Sequence, residues 1–433
     1  KMKIAYIVYS GAVKYLPANN FNEIEDLLPF LQHRFALDAY WEGFATGSLA
    51  IGAIIGCIIA AVVSDKYGRK RGLMIAAAIF MASSFAMALS DSRMFFITAR
   101  CAAGIGVGMA SMLSPMYISE VSPAHLRGRM VAINQLTIVI GILLTNLVNY
   151  YLRNEGENAW RWMFGLGFVP SALFFIGAMW LPESPRWLMK TGKKSQAKRI
   201  LEKIGDADYV NESVSSITTS LKGIVKTRYT DIFKKAILPA VLTGIGLAVF
   251  QQLCGINTVF NYAPKIFDSI GASQDDQLLQ TVFIGGVNLV FTILAMLLVD
   301  KLGRKPLMLI GAGGLAVMYV IIVVLLGNHL AYVSWFLLAS IGIYALTLAP
   351  VTWVLISEIF PNSVRSEATT VAVISLWAAY FILVFTFPVL FEQLQEKSFY
   401  IYSVICIMGF FFIGKKVKET KGKTLEDIER VMK

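Results

Sequence analysis

Uncharged amide side chains recur inside long apolar segments of this 433-residue chain. An amide donates and accepts hydrogen bonds without carrying charge, which matches the hydroxyl groups of a sugar or a polyol. An indole nearby would cover the apolar C–H face of such a ligand. Because polar groups in apolar spans are costly and usually face a cavity, these positions predict a binding site for a neutral polyhydroxylated solute. The candidates are Gln135, Gln251, Gln252, Asn257, Asn288 and Trp353.

The alternative interpretation of these amides is hydrogen bonding between helices, which is worth about 0.6 kcal/mol on average. For an isolated asparagine that interpretation is the stronger one. Gln251, Gln252 and Asn257 differ, because a regular helix would scatter residues with this spacing around its axis. Gly255 lies among them, and glycine adopts conformations that interrupt a helix. We therefore expect a helix broken at Gly255, with the three amides turned to one cavity.

A second constellation carries charge and occurs twice along the chain. The motif Asp-x-x-Gly-Arg-Lys, a Ser-Glu pair with a following arginine, and a later glutamate recur at offsets of 235, 238 and 236 residues. Matches at nearly one offset indicate an internal duplication with parallel halves. The first set is Asp65, Arg69, Glu120, Arg127 and Glu183, and the second is Asp300, Arg304, Glu358, Arg365 and Glu419.

The repeated charges predict a gate at one end of the helices. Gly68 and Gly303 permit a tight turn within each motif, which leaves acids and bases at helix ends where they can pair. Such a network would latch this end shut while the binding site faces the other side. The alternative is that these charges only set the orientation of the chain in a membrane.

The elements that carry these residues are predicted to be membrane-spanning helices. Hydrophobic residues make up 56% of the chain and charged residues 15%, against about 25% charged residues in a soluble domain. Ten long blocks contain no charged residue, and an eleventh, 94–119, is broken only by Arg100. A span needs roughly 20 apolar residues. The uncharged stretch 4–13 is too short, and we expect the rest of a first helix to be missing.

The chain is therefore expected to be all-α, with twelve transmembrane helices in two six-helix halves. Loops on one side hold 29 lysines and arginines, and loops on the other hold seven. By the positive-inside rule both termini are cytoplasmic. The expected parts are an N-terminal bundle at 1–185, a cytoplasmic helical linker at 186–235, a C-terminal bundle at 236–414 and a cytoplasmic tail at 415–433.

Several longer motifs resemble the sugar porter family of the major facilitator superfamily over nearly the whole chain. They are Pro-Glu-Ser-Pro-Arg-Trp-Leu at 182–188, Gln-Gln-Leu-Cys-Gly-Ile-Asn at 251–257, Ser-Glu-Ile-Phe-Pro at 357–361 and Glu-Thr-Lys-Gly-Lys-Thr at 419–424. The glycine-rich run from Gly104 to Tyr117 is most similar to bacterial xylose–proton symporters, and facilitative glucose transporters share much of the rest. The resemblance implies transport by alternating access.

The resemblance also implies site residues. Gln135, Gln251, Gln252, Asn257, Asn288 and Trp353 fall on family positions that contact the sugar, and Trp377 falls beside it. Three positions depart from the family: Asn261 replaces a tyrosine that serves as an outer gate, Leu376 replaces an amide, and Ala349 replaces a glycine. These changes alter the accepted hydroxyl pattern, so the sugar is expected to be a pentose or a hexose without a commitment to xylose.

Coupling is argued from Arg100. Proton-coupled relatives have an aspartate in the first span near an arginine of the fourth, which Arg100 matches. The aspartate position falls on Ala5. An unpaired arginine inside a membrane is expensive, so we expect an acidic partner and favour proton symport over uniport.

Other function classes are weighed against this one. A sugar sensor that does not transport and a polyol carrier stay open as alternatives. An enzyme, a nucleic-acid partner, a metal and a cofactor are not expected, and Gly104, Gly106 and Gly108 indicate close helix packing rather than a nucleotide loop. We expect a monomer in a bilayer, most simply a bacterial inner membrane.

Overall fold

The computed structural model describes residues 31, 34–122, 127–152, 156–222, 232–235, 237–268, 274–328, 330, 332–361 and 364–421. The predicted first span, with Ala5, and the tail from residue 422 lie outside these residues. The side chains of Arg127 and Asp300 are also outside the described part, although both positions are helical.

The described residues are almost entirely helical. Before residue 186 they form α1 (Ala39–Tyr67), α2 (Arg69–Ala88), α3 (Arg93–Val121), α4 (Arg127–Leu152), α5 (Ala159–Leu166) and α6 (Phe168–Trp180). The following polar stretch forms α7 (Pro185–Lys190), α8 (Lys194–Leu201) and α9 (Ala207–Lys222). The remainder forms α10 (Leu238–Leu253), α11 (Ile256–Asp268), α12 (Gln274–Leu302), α13 (Arg304–Gly327), α14 (Val333–Leu346), α15 (Leu348–Ile359), α16 (Arg365–Leu394) and α17 (Ser398–Lys416).

Ten helical segments of the described chain are long and apolar enough to cross a membrane. The last of them, Glu367–Lys416, has 50 residues and contains both α16 and α17, so it supplies two crossings. Several other crossings join two helices, such as α5 with α6 and α10 with α11. The prediction of an all-α polytopic chain is confirmed, because each predicted charge-free block overlaps one of these segments over most of its length.

Helix starts follow local chemistry. The Asp38 carboxylate accepts a hydrogen bond from the backbone N–H of Trp41, 2.8 Å away, and caps α1. The Ser184 hydroxyl caps α7, where Pro185 occupies the first turn. These caps satisfy amide groups that the first helical turn leaves without an intrahelical partner.

Small residues bring α1 and α3 into close contact. A methyl group added at Gly104 would collide with the backbone carbonyl of Leu49, and one added at Gly108 would collide with that of Ala53. The glycine run is therefore a packing surface, which is common where apolar helices associate in lipid. The predicted packing role of this run is confirmed.

The two halves of the chain contact each other near one end of the bundle, which we call the outer end and which lies opposite Gly68 and Gly303. Gly43 of α1 packs against the backbone of Phe385 in α16, and Asn146 of α4 donates a hydrogen bond to the carbonyl of Thr281 in α12 at 2.8 Å. The ion pair of Lys265 with Glu42 and the ring contacts of Phe385 with Tyr40 and Phe44 also join the halves in this outer part. The outer end is therefore closed.

Candidate functional site

The helix that carries the glutamine pair is broken as predicted. α10 ends at Leu253, α11 begins at Ile256, and Gly255 between them has a φ of 89°. This left-handed conformation favours glycine. A side chain at Gly255 would also meet the ring of Tyr402, 2.5 Å from the position of an added Cβ. The break turns the chain so that residues on both sides of it face one another.

Three amides form a hydrogen-bonded chain across this break. The Nε2 of Gln252 donates to Oε1 of Gln251 at 3.3 Å, and Nδ2 of Asn257 donates to Oε1 of Gln252 at 2.6 Å. The Nε2 of Gln251 lies 3.4 Å from the carbonyl of Ala349 in α15. Gln251 and Gln252 are buried, whereas Asn257 is half-buried. The structure therefore brings together the three residues whose spacing predicted a common site.

Asn261 extends this chain toward α16. Its Nδ2 donates to the carbonyl of Asn257 at 2.7 Å, and its Oδ1 accepts from the hydroxyl of Tyr380 at 3.0 Å. The ring of Tyr380 lies edge-on to Trp377, with centroids 5.7 Å apart. Asn261 is 1% exposed, so it is part of the buried network. Tyr380 was not predicted, because an isolated tyrosine within an apolar block gives no sequence signal.

The other predicted site residues lie on neighbouring helices. Trp353 is half-buried on α15, one turn beyond Ala349, whose carbonyl is near Gln251. Gln135 is half-buried on α4, and Asn288 of α12 is 5% exposed. In the described part of the chain, neither Gln135 nor Asn288 joins the amide chain, and neither has a buried polar atom that lacks a partner.

The first set of predicted gate residues forms a compact network at the end of the bundle that carries Gly68 and Gly303, which we call the basic end. The guanidinium of Arg69 binds both carboxylate oxygens of Glu120, with Nε–Oε2 2.9 Å and Nη2–Oε1 3.0 Å. The Glu183 carboxylate accepts from the backbone N–H of Arg69 at 2.9 Å. Asp65 lies 3.0 Å from Nζ of Lys190 in α7. Gly68 has a φ of 93°, and a Cβ there would collide with Glu183, so glycine is required at this turn.

The second set repeats this geometry. Arg304 approaches Glu358 with an Nη2–Oε1 distance of 3.5 Å, and the backbone N–H of Arg304 donates to Glu419 at 3.0 Å. The hydroxyl of Thr420 binds Glu358 at 2.6 Å, as the hydroxyl of Ser184 binds Glu120 at 2.5 Å. The duplication inferred from motif offsets is thus present in the contacts themselves.

The Glu419 carboxyl has a pKa below its ordinary value. Burial by itself would raise this pKa, but hydrogen bonds from the backbone N–H groups of Lys421, Arg304, Lys305 and Thr420 outweigh burial and favour the carboxylate. Glu419 therefore holds the chain after α17 against the start of α13 as a charged group.

The contacts of Arg69 with Glu120 and of Arg304 with Glu358 each join residues of one half. Arg365 follows the same pattern, since its guanidinium donates to the carbonyl of Phe360 at 3.1 Å in the same half. At the outer end Arg100 is 1% exposed, and its Nε donates to the carbonyl of Ala45 in α1 at 3.1 Å. The acidic partner expected for Arg100 stays a prediction, because the first span lies outside the described residues.

An ion pair between the halves was not predicted. Glu42 of α1 is 1% exposed, and its Oε2 lies 2.9 Å from Nζ of Lys265 in α11. Lys265 is one of the seven basic residues that the sequence assigns to the loops opposite the cytoplasmic side, but the structure places it inside α11 and against the other half. The position of Glu42 just before an apolar block was the only sequence signal of this pair that we identify. It does not indicate the partner, which is 223 residues away.

The chain is similar to known proteins over nearly its whole length. The sugar (and other) transporter family matches residues 10–432. The D-xylose-proton symporter of Escherichia coli is 38% identical over 420 residues, covering 89% of this chain and 85% of the relative. The arabinose-proton symporter of Bacillus subtilis is 35% identical over 422 residues, covering 94% of this chain and 90% of the relative.

The fold comparison gives the same result. The solved structure of a proton:xylose symporter of the major facilitator superfamily, bound to 6-bromo-6-deoxy-D-glucose, superposes with a TM-score of 0.85 at 35% identity. The match covers 99% of this chain and 98% of that one. The chain therefore belongs to the sugar (and other) transporter family and has the major facilitator fold.

Proposed function

We propose that this protein carries a monosaccharide, a pentose or a hexose, across a bacterial cell membrane by alternating access, coupled to protons. The observation that carries the proposal is the hydrogen-bonded chain of Gln251, Gln252 and Asn257 at the break between α10 and α11. Each amide in it can exchange a protein hydrogen bond for one to a sugar hydroxyl at little cost, because both partners are neutral donors and acceptors.

The proposed site also includes Gln135, Asn288, Trp353 and Trp377. Trp377 is 4% exposed and lies beside Tyr380, so it supports the amide chain from α16. Gln135 lies in the first half and the other site residues lie in the second. A sugar that contacts site residues of both halves would lie at the interface between them. This is where a carrier whose two bundles rock against each other must bind its substrate.

The closed outer end supports a specific state of the cycle. If the basic end is cytoplasmic, as the positive-inside rule requires, the structure corresponds to the inward-facing state. In the proposed basic-end gate, Arg69 contacts Glu120 and Arg304 contacts Glu358, each within one half. We propose that closing this end brings the two sets together when the site turns outward.

The parts of the chain take their proposed roles from this scheme. The segments 1–185 and 236–414 are the two moving bundles, 186–235 is a cytoplasmic linker, and 415–433 is a cytoplasmic tail anchored through Glu419. The protein works as a monomer, because each bundle pair contains one proposed site.

Counterflow in proteoliposomes tests the proposal. The purified protein is offered labelled pentoses, hexoses and polyols, with and without a pH gradient. Exchange of one monosaccharide, with accumulation only under an inward proton gradient, is the expected result. Accumulation independent of the gradient would indicate a uniporter, and sugar binding without flux would indicate a sensor.

A matched pair of variants tests the site. Gln252→Ala removes the central amide of the chain and should abolish counterflow while the protein stays folded. Gln393→Ala changes the same residue type at an exposed outer position and should leave counterflow unchanged. Normal counterflow by Gln252→Ala would refute the assignment of the site.

A further inference from the structure

A groove outside the proposed sugar site opens between α10 and α17 at the basic end. It encloses about 420 Å³ and is lined by Lys235, Leu238, Pro239, Leu242, Thr243, Phe412 and Lys416. Phe412 forms one wall, because its ring lies over Gly246, 2.6 Å from where a Cβ would stand. The groove therefore lies between the first turns of α10 and the last turns of α17.

The chemistry of the groove changes along its length. At the helix ends it presents two ammonium groups, those of Lys235 and Lys416, and its described lining includes no acidic residue. Further along α10 the lining becomes apolar. The hydroxyl of Thr243 is already used, since it donates to the carbonyl of Pro239 at 2.8 Å. These lining residues thus lack the neutral amides that would suit a sugar, and they suit an anion attached to an apolar chain.

The position of the groove indicates where such a ligand comes from. Leu242 is 56% exposed and Phe411, next to the groove wall, is 59% exposed, so this flank of the bundle faces lipid. Lys416 is the last residue of α17, and Lys235 lies shortly before the first residue of α10. Both lysines therefore lie at the level of the lipid headgroups, where basic pockets between transmembrane helices attract anionic lipids.

We propose that this groove is a binding site for an anionic phospholipid. The phosphate lies between the ammonium groups of Lys235 and Lys416, and an acyl chain lies along Leu238, Leu242 and Phe412. A phospholipid satisfies both parts of the lining, because it joins a negative headgroup to an apolar chain. The site is separate from the amide chain, which lies at the other end of α10, at Gln251 and Gln252.

Titration of the detergent-purified full chain with phosphatidylglycerol and phosphatidylcholine, read by native mass spectrometry, tests the proposal. Each lysine should contribute roughly five-fold to phosphatidylglycerol affinity, so K235Q/K416Q should bind it about 25-fold more weakly. Binding of phosphatidylcholine should not change. K235R/K416R should keep the affinity, and K198Q/K203Q, which removes two exposed lysines elsewhere, should also keep it.

A second measurement locates the lipid. Phosphatidylglycerol with a photoactivatable acyl chain should crosslink to peptides containing Leu242 or Phe412. The proposal is overturned if K235Q/K416Q binds phosphatidylglycerol as tightly as the wild type, or if the crosslinks map elsewhere. It is also overturned if soluble glycerol 3-phosphate displaces the lipid at equal concentration, because the acyl chain would then contribute nothing.

Discussion

The ion pair between Glu42 and Lys265 should set how firmly the outer end closes. It joins α1 of one half to α11 of the other at 2.9 Å, and the two side chains are 2% and 28% exposed. Opening the outer end must separate them. Their attraction therefore counts only in the closed state, and removing one partner should shift the equilibrium between closed and open.

The two possible single changes should have unequal effects. Lys265→Gln leaves the Glu42 carboxylate buried without its cation, and breaking a buried pair in this way costs about 3–5 kcal/mol. Partial exposure of Lys265 reduces this to about 2 kcal/mol, or roughly a 30-fold shift toward the open state. Glu42→Gln leaves only Lys265, which reaches water more easily, so its effect should be several times smaller.

Distances between spin labels measure this shift. Labels at Asn158 and Gln393, exposed outer positions of the two halves, should show one short distance in the wild type. Lys265→Gln should add a longer distance, and the exchanged pair E42K/K265E should restore the short one. The neutral pair E42Q/K265Q should give a distance distribution close to that of Glu42→Gln. The reasoning would be refuted by an unchanged distance distribution for Lys265→Gln. It would also be refuted if E42Q/K265Q shifted the distribution as far as Lys265→Gln does.

Three further outcomes are expected. Gly43→Leu should prevent closure of the outer end, because even a Cβ there collides with the backbone of Phe385, and the same labels should report a permanently long distance. Gly68→Ala should lower the unfolding temperature, since it combines a φ of 93° with a collision against Glu183; an unchanged melting curve would contradict this. The pKa of Glu419 is lowered, so its stabilising contribution should be complete above the ordinary glutamate pKa and decline as pH falls through the lower native value. Glu419→Gln should remove that part of the pH dependence of thermal stability, and an identical acid profile in the variant would exclude this role.

The sequence determined which segments cross the membrane and where polar groups lie within them. Lipid requires every span to be apolar and to satisfy its own backbone hydrogen bonds, so the pattern is visible in each segment separately. The break at Gly255 was also predictable from the local sequence, because it follows from one glycine within a group of amides. The duplication was predictable because matched motifs recur at a nearly constant offset.

Only the tertiary structure decided which charges meet. The sequence predicted that the acids and bases around Arg69 and Arg304 would pair, but not the geometry of the pairs, in which Arg69 contacts both carboxylate oxygens of Glu120. It gave no indication that Glu42 and Lys265 would meet across 223 residues. Such pairings depend on the rotation and depth of helices that pack against one another, and on which end of the bundle is closed. Those variables belong to the packed assembly of helices, whereas a hydrophobic pattern specifies each helix alone.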